Sequence, residues 1–313
     1  MACLPAGTDR AAARDRFRGA LLGLAVGEAL GAPAEFLSPR QVAERYGVIT
    51  EMLGGGCHAV APGETTDATD MMLCLAESLA ERGGFDPEDV MARYVRWFEG
   101  GPRDVSLTVR TVMLSVRAGT PWDLASRRAW EILGSPNSGN GSLARCAPVA
   151  LRYLCDTAER HRVAQRESTL THFDRLAGWA CVAFTDLLVA AIAGDLRRGL
   201  DAAAAAVEDE DRRVSAALRE ALEMEPEEAQ NSAFVLDSLR TAVWSVLRSA
   251  SFEEAVCLTV NLGDDADTVG AVTGALAGAL HGAAAIPSRW LDVLVLRDRI
   301  TAVADRLADA VGL

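Results

Sequence analysis

Three carboxylates, Asp264, Asp265 and Asp267, fall within four consecutive positions, with Thr268 beside them and glycines at 263 and 270. So much like charge is costly to hold in one place unless a cation neutralises it. Carboxylate and hydroxyl oxygens suit a hard divalent ion such as Mg²⁺ or Mn²⁺. The competing reading is a solvated acidic turn in which Asp267 or Thr268 caps the helix that follows. A second acidic segment, Gly63 to Asp70, shifts the balance. Its Thr66 and Asp67 sit where a loop delivers side chains to the start of a helix. Alone, it would read as a capped helix, with Thr66 or Thr69 as the cap and Asp70 in the first turn. Together, Thr66, Asp67, Asp265, Asp267 and Thr268 offer an all-oxygen cage for two divalent ions that share ligands.

Two weaker features accompany them. Ser135 to Arg145 is a Gly-rich loop running into a helix, and successive amides in such a loop can cradle phosphate oxygens. Glu35 lies just beyond a helix that ends near Gly31 and Pro33, where it could act as a general base or serve a ligand. His58, His161, His172 and His281 are too scattered in sequence to read as a metal cluster.

The elements that must position these groups read as helices. Residues 14–31 keep helical apolar spacing with Gly19, Gly23, Gly27 and Gly31 four apart, and 270–282 repeats the device with Gly270, Gly274, Gly278 and Gly282. Glycine inside a helix costs about 1 kcal/mol relative to alanine, so its repetition needs a packing reason. Small-residue stripes let backbones approach closely, which predicts that these two helices lie at the centre of the fold, near each other or another neighbour. Further helices are expected at 69–82, 87–99, 105–117, 121–133, 145–160, 174–194, 198–207, 210–222, 231–248, 252–260 and 288–311. Strand signals are weak, and no linker separates two domains. The class is all-α: a compact single domain over 14–313, preceded by a poorly ordered extension, 1–13.

Composition bounds the partners. The chain has 313 residues, 50% of them hydrophobic, enough for a large core. A net charge of -13 argues against nucleic-acid backbone binding. The apolar runs 19–27 and 269–286 read as buried helices and not membrane spans. The seven cysteines show no CxxC pair and read as buried reduced thiols. The N-terminus has no charged region followed by an apolar stretch, so a cytoplasmic location is expected. The charged stretch Glu208–Gln230 reads as a solvated face.

In order along the chain, these segments resemble the ADP-ribosylglycohydrolase family. The family's G-x-x-x-G-D-A-x-G-x-P-x-E is similar to Gly23–Glu35, and its G-E-x-T-D-D-T to Gly63–Thr69. Its G-N-G-S loop is similar to Gly139–Arg145, and its G-D-D-A-D-T-V-G-A is intact at Gly263–Ala271. Asp104–Arg110 is similar to its D-I-G-x-T-T-R, and Ser168–His172 to the segment before its central helices. The resemblance runs from about Arg16 to Leu313. It implies an all-α fold with a binuclear Mg²⁺ or Mn²⁺ centre at the bottom of a cleft. It also implies hydrolysis of the N- or O-glycosidic bond between ADP-ribose and an acceptor, often a protein arginine. Carried over, Thr66, Asp67, Asp265, Asp267 and Thr268 match metal ligands, and Glu35 and Asp104 match catalytic carboxylates. Ser138, Gly139, Asn140, Gly141 and Ser142 match the pyrophosphate cradle, and His172 lines the nucleotide site.

Two positions depart from the pattern. Glu28 replaces an Asp and keeps its charge. Ala68 replaces a metal-ligand Asp, which should weaken at least one ion and lower turnover. An introduced substitution, a single-metal natural variant or a pseudoenzyme would each account for it. Two readings follow: an impaired hydrolase, or a module that binds ADP-ribose without cleaving it.

Overall fold

Short polar side chains start many of the helices. Asp9 accepts from Ala11 N, Asp86 from Glu88 N and Asp89 N, Ser106 from Val109 N, Asp156 from Glu159 N and Ser251 from Glu254 N. Each satisfies an amide that the first turn would otherwise leave unpaired. The computed structural model describes residues 9–134 and 138–313. The first half of the chain forms α1 (Arg10–Gly31), α2 (Pro39–Tyr46), α3 (Asp67–Arg82), α4 (Pro87–Glu99), α5 (Leu107–Arg117), α6 (Trp122–Leu133), α7 (Gly141–Arg145) and α8 (Ala147–Arg152). The second half forms α9 (Thr157–Ser168), α10 (Arg175–Ala193), α11 (Leu196–Val207), α12 (Arg212–Glu223), α13 (Val235–Arg248), α14 (Phe252–Val260), α15 (Ala266–His281), α16 (Ser288–Leu291) and α17 (Arg297–Ala310). Among the described residues there is no strand, only the isolated bridges Gly55–Val60 and Gly139–Phe234.

The two glycine-striped helices pack against each other at the centre. A Cβ added at Gly19 would meet Gly278 O at 2.2 Å, one at Gly23 would meet Gly274 O at 2.2 Å, and one at Gly27 would meet Gly270 O at 1.9 Å. The stripes therefore interlock in opposite directions, backbone on backbone, as the four-residue spacing predicts. α10 packs along α15 and is long and apolar enough to cross a bilayer, yet most of it is buried inside this fold. α3 packs on α4, α8 and α17, and the chain closes into one helical body around this core.

Several boundaries differ from the expected ones. α1 begins at Arg10, ahead of residue 14. The expected 145–160 helix breaks at 153–156, where Asp156 caps α9. The expected 288–311 helix splits at Asp292–Leu296, where Val295 N donates to Gly63 O. α2 was not expected; Ser38 and Gln41 form a capping box at its start, with Pro39 in the first turn. Among the described residues the expectation of buried reduced thiols holds for Cys146 and Cys181. It fails for Cys155, which is disulfide-bonded, for Cys57, which is exposed, and for Cys74 and Cys257, which are only half-buried. Sequence spacing does not reveal which thiols a fold brings within bonding range.

Candidate active site

The end of α1 and the start of α3 meet at Glu28. This fully buried carboxylate accepts from Thr66 Oγ1 at 2.8 Å, from Ala68 N at 2.8 Å and from Thr69 N at 3.2 Å. It caps α3 from another helix, and no side-chain cap comes from Thr66 itself. The local capping reading of this segment is thereby replaced. Asp70 points elsewhere, accepting from Trp97 Nε1 at 2.9 Å. Thr66 Oγ1 also lies 3.2 Å from Asp267 Oδ2, which joins the two acidic segments. Asp265 stands at the cap position of α15 but makes no side-chain cap; its carboxylate turns instead to the Gly-rich loop, accepting from Asn140.

A backbone clamp brings Glu35 to the same place. Phe36 N donates to Asp264 O, and Asp264 N donates to Leu37 O, both at 2.7 Å. Phe36 and Asp264 hold φ of 61° and 50°, the left-handed region that non-glycine residues rarely occupy. Gly263 is needed beside them, because a Cβ there would sit 2.1 Å from Leu37 O. The loop before α5 supplies the opposite wall: Ser106 N donates to Asp67 Oδ2 at 3.3 Å. Oxygens of Glu35, Asp104 and Asp267 then lie within 4.8 Å of one another.

The Gly-rich loop is anchored to the segment before α13. Asn140 N donates to Ala233 O, and Val235 N donates to Ser138 O. Asn140 Nδ2 donates to Asp265 Oδ2 at 2.6 Å and to Ser238 Oγ at 2.8 Å, tying the loop to the acids. Gly139 and Gly141 lie against the His172 ring, and a Cβ at Gly141 would come within 3.1 Å of it. Burial, and then the like charge of Arg145, push His172 down to about 3, so it is a neutral imidazole. Ser142 is fully buried, bonded to Ser168 Oγ at 2.8 Å, and its side chain is off the cleft lining. Residues 135–137 of the expected loop lie outside the described residues.

The acids repel one another. Burial is the first cause of the raised proton affinity of Asp67 and Asp267, and the neighbouring carboxylates add to it. Burial likewise raises Glu35, Asp104 and Asp265 and pushes Glu28 up to about 7. Buried oxygens, mutually repelling and close together, are a donor set that fits a hard divalent cation.

Glu35, Asp67, Asp104, Asp265 and Thr268 line a cleft of about 960 Å³, together with Ser138–Gly141 and His172. Thr66 and Asp267 are buried behind this lining. The volume suits a nucleotide-sized ligand. A shallower hollow of about 670 Å³ along 118–131 has no comparable convergence of acids. Sequence reading missed Cys57 and His58. His58 Nε2 lies 2.6 Å from Glu35 Oε2 and 3.7 Å from Asp104 Oδ1, and Cys57 Sγ donates to Glu35 Oε2 at 3.2 Å. Neither residue belongs to an acidic motif; only their nearness to Gly63–Thr69 was a signal.

Residues 9–313 match the model of a family described as ADP-ribosylglycohydrolase. The chain is similar to the ADP-ribosyl-[dinitrogen reductase] glycohydrolase of Rhodospirillum rubrum, with 35% identity over 90% of this chain and 91% of that protein. It is similar to the ADP-ribosylarginine hydrolase Tri1 of Pseudomonas putida (strain GB-1), with 34% identity over 95% of this chain and 79% of that protein. A solved structure titled ADP-ribosylglycohydrolase-related protein complex superposes with a TM-score of 0.80 and 39% identity, covering 95% of this chain and 98% of its own.

Proposed function

Because the chain belongs to the ADP-ribosylglycohydrolase family, we propose that it hydrolyses the glycosidic bond between ADP-ribose and a protein acceptor, arginine above all, with a divalent cation held by its buried acids. The observation that carries this reading is the convergence, within 4.8 Å, of Glu35 and Asp104 on a cleft of nucleotide size and of Asp267 buried behind them. Thr66, Asp67, Asp265, Asp267 and Thr268 would hold Mg²⁺ or Mn²⁺. A bound cation would supply positive charge to orient the ribose hydroxyls and a water.

The chain's own groups do the rest. Gly139 and Gly141 leave room for the pyrophosphate beside a neutral His172. Glu35 and Asp104 face the cleft, and burial raises the affinity of each for a proton. A carboxyl so tuned can give a proton to the departing acceptor or take one from water as positive charge develops at the anomeric carbon. Ala68 supports a second reading, retention of ADP-ribose without cleavage.

The test is an ADP-ribosylarginine peptide incubated with this chain, in EDTA and then in excess Mn²⁺ or Mg²⁺, with free ADP-ribose followed by chromatography. Cation-dependent release is the expected result. Binding of ADP-ribose without release favours the second reading. Neither binding nor release overturns both.

A further inference from the structure

We propose that Glu35, Cys57 and His58 form a second, mixed-donor cation site at the cleft, sharing Glu35 with the acid cluster and selective for a borderline ion such as Zn²⁺ or Co²⁺. A carboxylate oxygen, a thiol sulfur and an imidazole nitrogen all lie within 4.8 Å of one another. Both Cys57 Sγ and His58 Nε2 approach the same atom, Glu35 Oε2, at 3.2 and 2.6 Å. His58 Nε2 is buried, yet it has no aligned hydrogen-bond partner despite that short approach. An N, S and O donor set prefers borderline ions, whereas the neighbouring cage of Asp and Thr oxygens prefers hard ones.

The backbone holds the trio together. Gly55 and Val60 exchange hydrogen bonds, folding 55–60 into a tight loop. That loop rests on the end of α1, where a Cβ at Gly56 would meet Ala32 O at 2.3 Å. Zinc bonds of roughly 2.0–2.3 Å place tetrahedral ligands about 3.3–3.7 Å apart, so the trio needs only a small opening. Asp104 Oδ1, 3.7 Å from the imidazole nitrogen, adds negative charge nearby. His58 and Glu35 line the cleft, which leaves a fourth position open to water or to a ligand oxygen. Binding replaces the thiol proton, which goes to solvent, and no electron is transferred. An ion seated there takes Glu35 Oε2 away from the ribose, so zinc would block the hydrolase.

The experiment is a Co²⁺ titration of the metal-free full chain without nucleotide, read by absorption. We expect a near-ultraviolet thiolate-to-cobalt band and strong visible bands of four-coordinate cobalt, saturating at one equivalent. Cys57→Ser should abolish the near-ultraviolet band while circular dichroism stays unchanged. His58→Gln should weaken cobalt binding by about tenfold or more. Only the faint bands of six-coordinate cobalt, a sulfur band that survives Cys57→Ser, or full affinity in His58→Gln would each overturn the site. With no nucleotide present, such a failure leaves the hydrolase reading untouched.

Discussion

Ala68 occupies the first turn of α3, 5% exposed, on the cleft lining beside Asp67. An Asp at this position would add a carboxylate to the oxygen cage without disturbing the Ala68 N to Glu28 bond, which is made by the backbone. Ala68→Asp should therefore tighten Mn²⁺ by about 10–100-fold and raise ADP-ribose release. Calorimetric titration of Mn²⁺ and the peptide assay read the two effects. An unchanged affinity would mean that this side chain does not face the ion. Asn140 tests the opposite case. It donates to Asp265 Oδ2 and Ser238 Oγ, and Asn140→Asp replaces those donors with another negative charge. The expected cost is about 2 kcal/mol of stability without cation, with loss of activity, measured by urea unfolding and the same assay. A variant as stable as the parent would count against the Asn140–Asp265 link.

The two glycine stripes show at element scale what is legible in the sequence. Four-residue repeats of glycine have few explanations other than close helix contact, so their spacing alone locates the centre of the fold. The meeting of the two acidic segments, Thr66 beside Asp267, was legible for a related reason, because clustered like charge is costly and short polar side chains near helix starts are informative. Glu28 escaped, because its role depends on which helix start lies opposite α1. Cys57 and His58 escaped because the tight turn that presents them carries no chemical signature. The missed break at 292–296 depends on a bond from Val295 N to Gly63 O, and such a distant partner leaves no trace in local periodicity. The stripe also makes a sharp prediction. Gly274→Ala sets a Cβ 1.9 Å from Gly23 O and should cost about 3 kcal/mol or more. Gly178→Ala, in α10, meets nothing closer than 3.7 Å and should stabilise by about 0.5–1 kcal/mol. Urea denaturation of the two variants decides; equal effects would contradict the interlock.

The acids come from segments scattered over the whole chain, so their mutual repulsion bears on the stability of the whole molecule. Glu28 is raised by burial from 4.5 to about 7, and Asp67 and Asp267 move in the same direction from 3.8. A carboxyl with a raised folded pKa holds more protons in the folded than in the unfolded state between the two values. Unfolding then becomes easier as pH rises through that window, and the loss is complete above it. Asp89, which burial would raise but its Arg82, Ser78 and Arg93 partners hold down, works oppositely only below about 3.8. His172 and His281, lowered first by burial, work oppositely inside the window up to 6.5. The raised carboxyls Glu28, Glu35, Asp67, Asp104, Asp265 and Asp267 outnumber these two imidazoles. The cation-free protein should therefore lose several degrees of Tm between pH 5 and about 7.5. A divalent cation selects the ionised acids, so it should restore Tm strongly at pH 7.5 and little at pH 5. Thermal scans in EDTA and in Mn²⁺ at both pH values provide the measurement. A Tm that is flat or rising across the window in EDTA, or a cation effect equal at both ends, would mean that these acids are neutralised by something other than an ion.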